Sequence, residues 1–287
     1  MADAVVVSTA RTAIGTAFKG TLLDVDAFEL GTQAVAEAVR RSGVDPALID
    51  DVVLGESLYG GGDVARYAAI EAGLDHVAGL AHNRHCAAGL AAVTTAAANV
   101  RAGMDRVVVA GGVQSSSTSP RSMRRAPGTD DWDAWFSPTH RDRPEAPNMD
   151  MSITVGWNAA VEAGVSREEM DAWALRSHQR AVAGIDGGSF ADEIFPLEVE
   201  RRDGTRVTFA VDEHPRRDTS MEKLASLKPL HPEIEGFSIT AGNACGANDG
   251  AAALVVADRD LAEANGLEAL ASIRAWASVG VPPERTG

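Results

Sequence analysis

Lysine is scarce in this 287-residue chain: Lys19, Lys223 and Lys228 are the only three, and arginine supplies the rest of the 26 basic residues. Acidic residues number 41, which leaves a formal charge of −15 at pH 7. A field of that sign repels phosphate backbones and anionic lipid, so nucleic-acid or membrane binding through net charge is excluded. An anionic ligand must meet a local basic patch instead. Cysteine is scarcer still. Cys86 and Cys245 make no disulfide framework in so long a chain and point to a reducing compartment. Long apolar runs are also missing: the charge-free stretch Cys86 to Val100 is too short, and too rich in Thr and Asn, to span a bilayer. Met1 to Arg11 carries Asp3 and no basic start, so it does not read as a signal peptide. The expectation is a soluble, cytoplasmic protein. No G-x-x-x-x-G-K-[ST], G-x-G-x-x-G or G-x-S-x-G occurs, so Gly60-Gly61-Gly62 reads as a loop and not as a phosphate cradle.

What is present suits a folded core. Hydrophobic residues make up 45% and charged residues 23%, and at roughly 150 residues per domain the length suggests about two domains. Short β-branched runs at Ala4 to Thr9, Asp51 to Leu58, Val77 to Arg84 and Arg106 to Ala110 alternate with helical patterns at Asp26 to Arg41, Asp63 to Ala72 and Cys86 to Arg101. Such alternation predicts parallel strand pairing under covering helices. Ser115 to Pro147 lacks any clear period and reads as an irregular excursion. Two helices follow, the second opening with the capping-box spacing Ser166 to Glu169. Asp203-Gly204 between extended runs signals a hairpin, and Thr219 to Leu227 a short helix. A strand–helix–strand pattern restarts at Ala251 to Ala257, Arg259 to Asn265 and Leu270 to Ser278, and then the chain stops. The expected division is therefore 1–114 as an α/β half, 115–239 as an inserted α+β loop domain, and 240–287 as the start of a second, incomplete α/β half.

Two clusters could carry chemistry. Asn83-Arg84-His85-Cys86-Ala87-Ala88-Gly89 places a cysteine where a strand gives way to a helix. Free backbone N–H groups and the positive end of the helix dipole favour a thiolate there, and small neighbours leave room for a substrate carbonyl. A buried structural cysteine fits the same position. Zinc at His82, His85 and Cys86 is disfavoured, because strand positions 82 and 85 face opposite sides. No metal is expected. The second cluster, Thr240 to Ala251, reads T-A-G-N-A-C-G-A-N-D-G-A, a tight loop with accessible backbone and, by composition, a plain turn.

Taken together the motifs resemble the thiolase family. Arg11-Thr12-Ala13-Ile14-Gly15 resembles its R-T-P-I-G, Asn83 to Gly89 its N-R-x-C-x-S-G, Val109 to Gly112 its A-G-G strand end, and Thr240 to Ala251 its T-A-G-N-x-S-G-x-N-D-G-A loop. The helix from Ser166 to Ala181 is similar as well. The resemblance implies an α/β fold of five layers, αβαβα, with a loop domain inserted in the first half and the second half incomplete here. It implies acyl transfer between coenzyme A thioesters, with Cys86 as the nucleophile that holds the acyl group. Coenzyme A thioesters are then substrates, with no permanently bound cofactor, and Ala241 and Cys245 lie along the pantetheine arm. Arg216-Arg217 is a candidate for the nucleotide phosphates, since an arginine fork suits phosphate; a solvated loop fits the pair equally. Family members pair through the first half, so a homodimer or dimer of dimers is expected, extending a sheet through a strand near Val107 to Val109 or Val77 to Arg84.

Departures accompany the likeness. The serine beside the nucleophile is Ala88, the loop serine is Cys245, and a His-Met pair of the loop domain aligns near Met151-Ser152 without its histidine. The family's N-E-A-F, G-H-P and C-x-G segments, with the histidine and second cysteine that move protons, would lie beyond Gly287. None of His76, His82, His85, His140, His178, His214 or His231 sits in a matching motif. The expectation is a truncated acyltransferase, inactive or slow by itself. Two alternatives stay open: a non-catalytic thiolase-fold protein that binds acyl-CoA or a partner, and a relative that uses acyl carrier protein.

Overall fold

The computed structural model describes residues 2–59 and 63–287; the loop expected at Gly60 to Gly62 lies outside the described residues. The chain forms two compact units. The first comprises Met1–Pro120, Phe190–Glu213 and Ala247–Trp276, and the second Arg121–Ser189, His214–Gly246 and Ala277–Gly287.

The first unit is built on one mixed sheet. Its strands are β1 (Ala4–Arg11), β2 (Gly15–Thr16), β3 (Asp51–Gly55), β4 (Leu80–His82), β5 (Val107–Ser115), β10 (Asn248–Asp258) and β11 (Ala271–Ser272). The order is β11-β1-β10-β5-β3-β4, with β2 paired to β10. Helices α1 (Ala27–Ser42) and α2 (Val64–Glu71) pack on one face and α3 (Ala88–Ala102) on the other. Strand alternation decides which side chain meets which helix. Val107 and Val109 join the core under α1 and α2, while Val108 and Ala110 meet Ala92, Ala96, Ala97 and Val100 of α3. Helix α1 begins where the Asp26 side chain accepts from the Glu29 N–H, a cap that serves one of the free first-turn donors.

The α/β class and the first elements follow the sequence reading, but the pairing differs. Strands β5, β3 and β4 are parallel, as predicted, whereas β10 runs antiparallel between β1 and β5. The parallel rule applies to a strand returning through one covering helix. The connection from β5 to β10 is instead the entire middle of the chain, so the rule does not bind. Residues 248–258, read as opening a second half, are thus a central strand of the first sheet. Segment 190–213 also moves out of the expected loop domain. Strand β8 (Leu197–Glu200) alternates buried and exposed, and Phe195, Leu197, Val199 and Phe209 enter the main core. Arg11 fixes this segment: its guanidinium donates to both carboxylate oxygens of Asp212 (2.8 and 3.1 Å) and to Glu193 (2.9 Å). The hairpin of β8 with β9 (Arg206–Phe209) turns through Gly204 at φ 79°, as Asp203-Gly204 predicted.

The second unit carries α4 (Asn158–Ala163), α5 (Arg167–Asp186) and α6 (Met221–Ala225), with a π-helical turn at Ser152–Trp157 leading into α4. The capping box of α5 is complete, with Ser166 and Glu169 satisfying each other's backbone N–H groups. Within the stretch read as irregular, β6 (Ser122–Arg125) pairs with β7 (Trp132–Trp135) as a hairpin. Among the described residues no helix is long and apolar enough to cross a membrane.

Candidate active site

Cys86 is exposed and stands two residues ahead of α3, in a turn rather than inside the helix. The preceding strand β4 leads into that turn, and three residues shape it. His85 adopts a left-handed backbone, φ 48°, which is uncommon outside glycine. The Asn83 side chain accepts from the His85 N–H (2.7 Å) and donates to the Ser57 carbonyl (3.2 Å). Ser57 returns a hydroxyl bond to the His85 carbonyl (3.1 Å). The turn is therefore bonded on both sides of the strained residue, and the cysteine side chain stays outside the network. No side chain caps α3, so the positive end of its dipole is open next to the sulfur.

Small residues determine where this end sits. A Cβ at Gly55 would collide with the backbone of Ala88, and one at Gly112 would lie 3.0 Å from the Cα of Gly89. Helix α3 thus rests directly on the backbone of β3 and β5 at its first turn. That contact accounts for Gly55 and Gly112, while a Cβ at Gly111 of the A-G-G strand end would collide with the Ala252 carbonyl of the neighbouring β10.

In the second unit the start of the T-A-G-N loop folds on itself. Thr240 N–H donates to the Asn243 side chain (2.8 Å), Gly242 N–H to the Thr240 hydroxyl (3.1 Å), and Ala244 N–H to the Thr240 carbonyl (3.0 Å). Asn243 donates in turn to Asp171 of α5 (3.0 Å), the partner of Arg167 (2.7 Å). Ala241 and Cys245 are left exposed on this pinned turn. The end of the loop belongs to the first unit, where Asp249, fully buried, accepts from the Ser117 N–H and hydroxyl (3.0 and 2.6 Å). The Thr12 hydroxyl accepts from the Ala251 N–H (3.1 Å), so the R-T-A-I-G motif is an anchor for N-D-G-A.

Arg216 and Arg217 line a groove of about 260 Å³ with His178, Gln179, Asp186 and Thr219 among its walls. Arg217 is already engaged, donating to both oxygens of Asp186 (2.8 and 2.7 Å). That pairing, chiefly its hydrogen bonds, holds the Asp186 carboxyl below the usual range. His178 Nδ1 accepts from the Arg216 backbone N–H (3.1 Å), and burial, with Arg216 and His214 nearby, lowers its pKa. Because Nδ1 accepts, the neutral ring carries its proton on Nε2.

The family model described as Thiolase, N-terminal domain, matches residues 4–260. The chain belongs to the thiolase family. The acetyl-CoA acetyltransferase of Pseudomonas aeruginosa is 39% identical over 308 residues, covering 100% of this chain and 74% of that protein. That of Escherichia coli is 37% identical over 302 residues with the same coverage. The crystal structure of the Bacillus anthracis acetyl-CoA acetyltransferase superposes with a TM-score of 0.89 at 36% identity, covering 99% of this chain and 72% of that one.

Within this thiolase-family chain the expected site residues fall into separate groups. Cys86 stands with the sheet unit; Arg216, Arg217, Ala241 and Cys245 all stand in the second unit. Residues missed by the sequence reading are Asn83 and Ser57, which shape the nucleophile turn, and Asp171, which pins the loop. Asn83 was visible inside the N-R-H-C motif, whereas nothing local marks Ser57 or Asp171. A histidine does stand beside the Met151-Ser152 segment: His231 Nε2 lies 2.8 Å from Asp150, whose other oxygen accepts from the Ser152 N–H (3.0 Å). Among the described residues no group of three His, Cys, Asp or Glu side chains is placed to hold a metal.

Proposed function

We propose that this chain carries the acyl-accepting machinery of a thiolase-type acyltransferase that forms or cleaves 3-ketoacyl-CoA. The sulfur of Cys86 attacks the thioester carbonyl carbon of an acyl-CoA. The bond from that carbon to the coenzyme A sulfur breaks, coenzyme A leaves and takes up the proton, and an acyl-cysteine remains. A second nucleophile then removes the acyl group: the enolate of acetyl-CoA in condensation, or free coenzyme A in thiolysis. The observation that carries the reading is the exposed Cys86 on a bonded, strained turn at the uncapped end of α3, in a chain of this family.

Ala241 and Cys245 border the pantetheine arm, and the groove of Arg216 and Arg217 takes the nucleotide end. The acid–base groups that the family resemblance implies have no matching motif among the 287 residues. Losing such a role costs on the order of 10²–10⁴ in rate, so this chain acylates slowly and does not complete turnover. Pairing into a homodimer uses β4, an edge strand whose Leu80 is exposed. Strand β5, the other expected contact, is flanked on both sides by β10 and β3 and has no free edge. The setting is cytoplasmic, in keeping with two free cysteines.

The test is incubation with acetyl-CoA or acetoacetyl-CoA followed by peptide mass mapping. An acetyl adduct on the Cys86 peptide, absent in Cys86→Ala, is the expected result. Tight acyl-CoA binding with no adduct at Cys86 would show a binding protein and overturn the catalytic reading.

A further inference from the structure

The two arginines of the groove are not equivalent, and the difference lies in α5. This helix of 20 residues ends on Asp186 and has no basic residue in its last turn. A carboxylate at a helix C-terminus faces the negative end of the dipole, which opposes it. Arg217 offsets both charges through its two bonds to Asp186. The Arg216 guanidinium has no hydrogen-bond or ion-pair partner among the described residues, yet it lines the same groove beside His178, whose Nδ1 holds the Arg216 backbone N–H. Arg217 is therefore paired with a carboxylate of the groove, while Arg216 makes no such pair and acts through its charge on nearby Asp218.

We propose that Asp186 is a specificity-determining residue that competes with ligand phosphate for Arg217, leaving Arg216 as the side chain that first receives the nucleotide phosphates of coenzyme A. The inference rests on the reading that this groove takes the nucleotide end of coenzyme A. Side-chain exposures of 59% for Arg217 and 56% for Asp186 make the pair one that ligand can open. An exposed pair of this type amounts to no more than about a fivefold preference. Asp186 thus weakens phosphate binding without abolishing it. Its carboxylate also adds to the acidic surface, so the penalty falls as salt screens it.

The experiment is calorimetric titration of the whole chain with coenzyme A and, separately, with pantetheine, which lacks the phosphates. Asp186→Asn should tighten coenzyme A by about twofold to fivefold at low salt and leave pantetheine unchanged. The gain should vanish in Asp186→Asn combined with Arg217→Gln. Arg216→Gln should weaken coenzyme A by about tenfold or more, and Arg217→Gln alone by far less. Circular dichroism checks that each variant is folded, and Arg217→Gln tests the asymmetry without changing α5. If Asp186→Asn leaves coenzyme A affinity unchanged or weaker while Arg216→Gln weakens it, the competition is overturned and the nucleotide reading stands. Equal losses in Arg216→Gln and Arg217→Gln would likewise overturn it. If coenzyme A binds no better than pantetheine and Arg216→Gln changes nothing, the nucleotide reading of the groove itself falls.

Discussion

Helices α1 and α5 show two ways of holding a helix in one chain. Helix α1, of 16 residues, buries Ala27, Leu30, Gly31, Ala34, Val35, Ala38 and Ser42 along one face. Helix α5, of 20 residues, buries only Asp171. The first is held by apolar area removed from water and the second by polar ties: Asp171 to Asn243, Asp186 to Arg217, Arg167 to the Leu224 and Leu227 carbonyls and His178 to the Arg216 N–H. The same contrast runs through the functional parts. Cys86 is presented by a turn in front of a helix packed on glycine backbone, whereas Ala241 and Cys245 ride on a turn pinned by hydrogen bonds. Packing of the first kind tolerates little change. A polar pin can be kept while the exposed residues around it vary, so substitutions at Ala241 and Cys245 should leave the sheet unit unaffected.

The largest expected effect is in the apolar helix. Leu30 is fully buried, and Leu30→Ala should cost about 3–4 kcal/mol of stability. Chemical denaturation followed by tryptophan fluorescence or circular dichroism measures it, and a loss below about 1 kcal/mol would remove the contrast with α5. Next comes Asp171→Ala, expected at about 3 kcal/mol because Arg167 and Asn243 lose their shared partner. Hydrogen exchange should show faster exchange in α5 and around Thr240 to Asn243 with the sheet protected as before. Exchange that rises equally in β1, β5 and β10 would mean that Asp171 supports more than its own unit. Smaller again is Ser166→Ala at the start of α5, which should cost about 1 kcal/mol through the broken capping box.

The smallest effect is a difference in pH response. His231 has its pKa raised by hydrogen bonds that its protonated ring donates to neighbouring carboxylates, Glu233 first and then Asp150, while those two carboxyls are lowered. A raised histidine contributes fully below its ordinary value of 6.5 and loses that contribution as pH climbs through the raised value. Lowered carboxylates act in the opposite sense, contributing above their ordinary values and losing it as pH falls. The His231 cluster is therefore strongest between about pH 4.5 and 6.5. On α1, Glu37 is lowered to about 2 by Arg40 and Arg41, so its contribution fades only as pH drops from 4.5 toward that value. Moving from about pH 6 to about pH 9 should loosen the segments around Asp150 and His231 and leave α1 unchanged, as read by amide exchange corrected for its intrinsic rate. Parallel loosening of α1 would show that the two units do not respond separately.

Much of this was legible in the chain because the signals are local. The Ser166 to Glu169 box and the Asp203-Gly204 turn each act within a few residues, so composition and spacing suffice to locate them, whereas Asp26, read as the first helical residue, is the cap in front of α1. The N-R-H-C segment is local in the same sense: a strand, a turn and a helix start meet within seven residues, and the cysteine's place at that junction can be read directly. The hairpin of β6 and β7 escaped because Arg and Trp dominate it, and its strands lack the apolar alternation that marks a half-buried pair.

By itself the sequence determined where the Ser166 to Glu169 box and the Asp203-Gly204 turn fall, and that Cys86 stands where a strand yields to a helix. Those outcomes depend on neighbours within one turn of backbone. Only the tertiary structure decided that Asn248–Asp258 lies between β1 and β5, that Arg11 holds the segment Phe190–Glu213 against the sheet unit, and that Arg217 is tied to Asp186 while Arg216 is not. Each of these is a choice among partners distant along the chain. Such choices are settled by which apolar surface is buried and which charge is reached first once the chain is folded, and no local pattern encodes that competition.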